Sequence, residues 1–123
     1  MYKYFVVFLL IACIGCETKP VDCRHFRTGT FMFTVGSSTY KIVRTEKEQK
    51  ETNVETGEWA TWDVTWQDDC TYTITIKKRS PEKPTKHPVM VVKIIKVAGD
   101  FVYFDSFGDG KQLHYSSRME KVK

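Results

Sequence analysis

The sequence lacks the local motifs that carry most catalysis and nucleotide binding. None of its serines lies in a G-x-S-x-G elbow, and no G-x-x-x-x-G-K-[ST] loop is present. The three histidines, His25, His87 and His114, form no H-x-H or H-x-x-x-H pair. These absences argue against a serine hydrolase of the common type, a P-loop enzyme and a histidine zinc site. We therefore expect no catalytic residues, no cofactor and no metal, in a protein that is not an enzyme.

Excess charge of either sign is also small. The 123 residues include 19 Lys and Arg and 15 Asp and Glu, a formal net charge of +4. Nucleic-acid-binding domains usually show clustered basic residues and a pI above about 9. We expect no nucleic-acid partner. The length suits one domain, and 41% hydrophobic with 14% aromatic residues is typical of a globular core.

A hydrophobic run long enough to cross a membrane is missing as well. Residues 4–14 carry no charge, but they fall short of the roughly 20 apolar residues that a membrane-spanning helix needs. Lys3 precedes this run, and polar sequence begins at Glu17. That order is typical of a cleaved export signal.

Two cysteines compete for the end of this signal. Bacterial lipoprotein signals end in an apolar-small-small-Cys box whose cysteine is lipidated. Residues 10–13 fit the first position of the box better, whereas residues 13–16 give a signal of more usual length. Lipidation at Cys16 also leaves Cys23 and Cys70 as an even pair in an oxidising compartment. We favour Cys16, with Cys13 as the alternative, and expect a signal peptide at 1–15 and a lipidated, palmitate-bearing N-terminus and tether at 16–27.

Alternation of apolar and polar residues predicts an all-β domain over residues 28–117. Its clearest hairpin spans residues 60–76, where even-numbered positions are apolar or aromatic, apart from the turn at 67–69, and the strand residues between them are Thr or Asp. Pro81, Pro84 and Pro88 place residues 77–88 in a loop. Short turns favour antiparallel neighbours, so we expect a meander of about eight strands, either a lipocalin-like barrel or a two-sheet sandwich. The predicted strands are 30–35, 40–45, 51–55 (polar and exposed), 60–66, 70–76, 89–97, 101–107 and 112–116, with a tight turn at 108–110 and a polar tail at 118–123.

Two side-chain predictions concern the interior of this domain. Cys23 and Cys70 are predicted to form a disulfide, because exported compartments permit one. Arg44 alternates with Ile42 and Tyr40 on one strand face. If that face points inward, Arg44 is buried and needs a carboxylate or an aromatic partner.

The aromatic residues of the 60–76 hairpin are the other candidates for binding. Trp59, Trp62, Trp66 and Tyr72 could line a pocket for an apolar or sugar ligand, or simply form core. We expect Trp62 and Trp66 in the core. Trp59 begins the strand on the other face, which makes it a candidate for surface recognition.

Several segments together resemble a known family. They are the lipidation box, residues 22–31 (Asp-Cys-Arg-His-Phe-Arg-Thr-Gly-Thr-Phe), residues 42–44 (Ile-Val-Arg) and residues 66–72 (Trp-Gln-Asp-Asp-Cys-Thr-Tyr). This combination resembles a family of small uncharacterised lipoproteins from Gram-negative bacteria, whose members circulate under the name DNA topoisomerase IV. The name is a misnomer for such a chain, because 123 residues leave no room for a DNA-breakage domain. The resemblance implies a lipid-anchored protein of the cell envelope, in the outer membrane, and brings no catalytic residues.

These observations lead to two functional expectations. The first is a membrane-anchored, non-enzymatic module that binds a small apolar ligand or an envelope partner. The alternative is a periplasmic inhibitor of a lysozyme-type hydrolase, since lipoprotein lysozyme inhibitors are similar eight-stranded barrels with a disulfide. Their inhibitory-loop pattern of serine and lysine is not found here. A cavity in the fold would favour the first expectation.

Overall fold

The computed structural model describes residues 22–108 and 114–123. The predicted signal peptide and both candidate lipidation sites, Cys13 and Cys16, lie outside the described residues. So do Asp109 and Gly110 of the predicted turn. No helix among the described residues is long and apolar enough to cross a membrane.

Eight antiparallel strands form one closed barrel in which each strand pairs with the next along the chain and the last pairs with the first. Phe31 and Phe33 of the first strand lie opposite Lys121 and Met119 of the last. This confirms the predicted all-β meander and selects the lipocalin-like barrel over the two-sheet sandwich. The strands are β1 Gly29–Val35, β2 Ser38–Arg44, β3 Glu48–Asn53, β4 Trp59–Trp66, β5 Thr71–Ser80, β6 Val89–Ala98, β7 Phe101–Gly108 and β8 His114–Lys121.

Period-two alternation decides which side chains fill the interior. In β4, Trp62 and Val64 are buried, while Asp63 and Thr65, the residue after each, are exposed. The same alternation continues around the barrel, so each strand contributes one row of side chains to the interior. The buried hydrophobic residues are Cys23, Phe26, Phe31, Ile42, Trp62, Val64, Tyr72, Ile74, Val92, Ile94, Val102, Phe104 and Met119.

The third strand corrects one sequence prediction. The strand expected at 51–55 begins at Glu48 and ends at Asn53, and its inner face is not exposed, because Gln49 and Asn53 are buried. The cause is the tight turn before it, in which the backbone N–H of Thr45 donates to the carbonyl of Glu48. This turn pairs Gln49 with Arg44 and carries the polar strand into the barrel wall.

The last strand also differs from its prediction. β8 runs through residues that were expected to form a polar tail, and Met119 within it is buried. Barrel closure explains the difference, since β1 needs a second neighbour to satisfy its edge. Val122 N donates to Thr30 O, which extends this pairing to the end of the chain. β5 likewise continues to Ser80 and ends where Pro81 begins the loop.

The two ends of the barrel differ. At one end, called here the closed end, the short 3-10 helix Arg24–Phe26 packs Phe26 into the core. The predicted disulfide is confirmed there, joining Cys23 to Cys70 with their Cα atoms 5.2 Å apart. A crosslink over 47 residues contributes about 2–4 kcal/mol of stability. The other end, called the mouth, is bordered by the turns at 36–37 and 54–58 and the loop at 81–88.

Candidate ligand cavity

A cavity of about 330 Å³ occupies the barrel interior toward the mouth. This volume is at the lower end of the range, roughly 300–1,000 Å³, that small-molecule sites occupy. Much of its wall is aliphatic or aromatic. The lining hydrophobic residues are Phe33, Val35, Tyr40, Ile42, Trp59, Ala60, Trp62, Tyr72, Ile74, Ile76, Met90, Val92, Phe104 and Met119.

Arg44 lies below this cavity, toward the closed end, and is 3% exposed. Its guanidinium donates from Nε to Oε1 of Gln49 at 2.9 Å, and from Nη1 to the carbonyl of Phe26 at 2.8 Å. Nη2 donates to the hydroxyl of Tyr72 at 2.8 Å. The group also lies over the rings of Phe31 and Tyr72, with 4.8 and 4.5 Å to the centroids. Arg44 therefore has aromatic partners and neutral acceptors, and among the described residues it forms no direct ion pair with a carboxylate.

The amide of Gln49 links Arg44 to the carboxyl group of Glu51. Gln49 accepts from Arg44 at its Oε1 and donates from Nε2 to Oε1 of Glu51 at 3.0 Å. Alternate residues of β3 point inward, so Gln49, Glu51 and Asn53 form a polar stripe along an otherwise largely apolar wall. The Asn53 Oδ1 is engaged at the mouth, where it accepts from the backbone N–H groups of Glu55 and Thr56.

Glu51 is the ionisable group that faces the cavity from the middle of this stripe. Burial raises its pKa above the ordinary value of 4.5, and the Gln49 hydrogen bond and the Arg44 charge oppose that rise. The indole N–H of Trp62 also favours the charged form, although it does not meet hydrogen-bond geometry. Trp62 Nε1 is buried and has no acceptor within the described part of the chain. The site thus holds an incompletely bonded carboxyl group beside an unpaired donor.

The mouth is polar and partly closed by the loop after β5. Arg79 lines the cavity and donates from Nη1 to Thr85 Oγ1 at 3.2 Å and to the carbonyl of Pro84 at 3.4 Å. These bonds hold the loop against the cavity rim. Trp59 also lies at the rim, with the ammonium of Lys50 5.2 Å from its ring centroid.

The structure separates the five residues that the sequence analysis proposed for binding. Trp59, Trp62 and Tyr72 line the cavity. Arg44 lies beneath it and binds Tyr72. Trp66 lies near the closed end and outside the cavity lining, packed against Tyr72 with 4.6 Å between ring centroids. The guanidinium of Arg27 lies over the ring of Trp66, 4.8 Å from its centroid.

Sequence reasoning missed the polar stripe of β3 and the buried Ser106 of β7. The stripe contains no apolar residue to mark an inner face, so its alternation reads as surface. One signal was present, since a tight turn after Arg44 places Gln49 opposite it. An inward Arg44 would then have implied inward polar residues on the next strand.

The fold and cavity define a small, closed, eight-stranded antiparallel barrel with an interior space of ligand size. Among residues 22–108 and 114–123, no group of three or more His, Cys, Asp or Glu side chains is placed to hold a metal ion. No protein-family model, curated protein or solved structure matches the chain.

Proposed function

We propose that this protein is a non-enzymatic β-barrel domain that an N-terminal lipid anchors to the outer membrane of a Gram-negative bacterium. The domain binds a small, largely apolar ligand in its interior. The observation that carries the proposal is the cavity itself. A barrel whose interior serves only for stability is filled by side chains, because voids cost free energy. Here the interior is filled toward the closed end and left open toward the mouth.

The anchor part of the proposal is supported by the sequence of residues 1–16, and the binding part by the wall of the cavity. Aromatic and aliphatic side chains supply most of the lining, and a small number of polar groups lie among them, as in typical small-molecule sites. The polar groups would orient a ligand, while burial of its apolar surface would provide most of the affinity.

Binding of an environment-sensitive apolar dye to the purified full chain tests this proposal. Ala60→Phe places a large ring at a cavity-lining position and should reduce dye affinity about tenfold or more. The matched control is Thr65→Phe, which places the same ring on the exposed outer face of the same strand and should bind normally. Dye that fails to bind the wild-type chain, or binds both variants equally, would overturn the proposal. Thermal unfolding of each variant verifies that it is folded.

The second candidate is an inhibitor of a lysozyme-type hydrolase, and one observation favours it. Six of the eight residues in the loop at 81–88 are exposed at the mouth, as an inserting loop requires. A lysozyme activity assay with the purified protein distinguishes the two candidates, because only the inhibitor lowers turnover at stoichiometric concentration.

A further inference from the structure

We infer that the cavity selects ligands with a protonated amine, whose ammonium group binds Glu51 while its apolar body packs against Phe33, Ile74 and Met90. This inference rests on the proposed function, since it names the chemical class of ligand for the same cavity. Three observations support it: the hydrogen-bond acceptor positions of Glu51, the charges of the residues around the cavity, and the aromatic side chains that line it.

The hydrogen bonding of Glu51 leaves room for a donor. A carboxylate has about four acceptor positions, and buried polar groups are normally bonded. Within the described part of the chain, the hydrogen bond from Gln49 Nε2 is the one of normal geometry at this group. Because Glu51 lines the cavity, its remaining acceptor positions are available to a ligand. An ammonium group brings three N–H donors to them.

The charges around the cavity favour a cation over an anion. Arg44 lies outside the cavity lining, and its guanidinium donates to Gln49, Phe26 and Tyr72. Arg79 is at the rim and is held by the loop. An anionic ligand at the depth of Glu51 would place two negative charges together in a region of low dielectric constant, where repulsion is strong.

The aromatic wall strengthens the same preference. Glu51 lies opposite Ala60 in the β3–β4 pairing, and Trp62, the next inward residue of β4, lines the cavity beside it. Ring faces attract cations through their quadrupole, and indole does so most strongly. A hydrophobic amine therefore finds a carboxylate, aromatic side chains and an apolar wall in one cavity.

Titration calorimetry at pH 7 with octylamine, octanol and octanoate tests the inference on the full chain. These probes share one alkyl chain and differ in head-group charge. We expect octylamine to bind at least about tenfold tighter than octanol, and octanoate to bind most weakly. Glu51→Gln should remove the advantage of octylamine over octanol. Asp63→Asn is the matched control, because it removes one carboxylate from the exposed outer face of β4 and should preserve the order of affinities.

A second variant keeps the test decisive if Glu51→Gln does not fold. Glu51→Asp retains the charge and withdraws it by one methylene, so the preference for octylamine should fall without disappearing. Equal affinity for all three probes would overturn the amine inference while leaving an apolar binding protein. A preference for octanoate would assign recognition to Arg79 instead. Absence of binding by every probe, together with the dye, would overturn the proposed function itself.

Discussion

The buried side chain of Arg44 connects three elements toward the closed end of the barrel. Its hydrogen bonds connect the 3-10 helix, β3 and β5 through Phe26, Gln49 and Tyr72. Loss of a buried donor leaves its acceptors unsatisfied, and that cost exceeds the net value of the bonds themselves.

Arg44→Met should therefore lower the free energy of unfolding by about 3 kcal/mol, because it preserves much of the side-chain volume and removes every donor. Urea unfolding followed by tryptophan fluorescence measures the change. Lys41→Met on the exposed face of the same strand is the control and should shift stability by less than about 0.5 kcal/mol. Equal stability of the two variants would contradict a structural role for the Arg44 bonds.

The buried carboxyl group of Glu51 should make the stability of the protein depend on pH. Its pKa is raised in the folded protein, mainly by burial, so the folded state holds this proton more tightly than the unfolded state does. The resulting contribution to stability is fully present below the ordinary pKa of 4.5 and is lost as pH rises through the folded pKa.

Relative to Glu51→Gln, the wild-type protein should therefore lose stability as pH rises from about 4.5 through the raised folded pKa. The comparison removes the contribution of other titrating groups that the two proteins share. Urea unfolding of both proteins across pH 4 to 8 provides the measurement. A difference that stays flat, or that favours the wild type at higher pH, would show that Glu51 is not destabilised by burial.

Among the elements, the pairing of β1 with β8 closes the barrel. Gly29 begins β1 with φ at +134°, and a Cβ there would lie 2.5 Å from the carbonyl oxygen of Lys123. Thr30 N donates to that same oxygen at 2.9 Å. Glycine is thus required by close approach of the chain terminus as well as by backbone conformation.

Gly29→Ala should lower stability more than Gly36→Ala does. Both glycines have positive φ, but a Cβ at Gly36 meets no atom within 4 Å, so that variant bears only a backbone cost of roughly 1 kcal/mol. The difference in thermal unfolding midpoint between the two variants measures the extra cost at Gly29, which combines its φ of +134° with the contact to Lys123. Comparable midpoints would mean that the end of the chain moves aside without loss.

For the whole molecule, the closed end and the mouth are at opposite ends of the strands. β5 begins beside the disulfide at Cys70 and ends at Ser80 at the mouth, and ten residues at about 3.3 Å each span roughly 30 Å. An anchor at Cys16 would precede Cys23 by seven residues, or at most about 25 Å of extended chain. The proposed anchor would then hold the closed end near the membrane, with the mouth and its loop at 81–88 directed away.

Intact mass of protein purified from membranes tests the anchor. We expect a lipid adduct on a chain that begins at Cys16, and cysteines 23 and 70 that resist alkylation until they are reduced. Cys16→Ala should release the protein from the membrane fraction, whereas Cys13→Ala should leave it bound. Release by Cys13→Ala alone would assign lipidation to Cys13, and an unmodified mass would remove the localisation on which the proposed function depends.

Local sequence determined most of the strands, because period-two alternation and turn residues act over a few positions, whereas the bounds of β3 and β8 depended on their neighbours. The inner row of the 60–76 hairpin, the Cys23–Cys70 pairing and the loop of prolines follow from residues read along the chain. The export signal is likewise a local pattern, and it remains a prediction.

Tertiary structure alone decided closure, the cavity and the polar stripe. Closure depends on pairing between β1 and β8, which are separated by nearly the whole domain. The inward face of Gln49 and Glu51 depends on which neighbours surround a strand whose own residues are polar on both sides. A cavity is space left between side chains of many strands, so it has no signature in any one of them. Local sequence therefore specified most of the strands, whereas the cavity and its polar stripe depend on packing between strands that are far apart in the sequence.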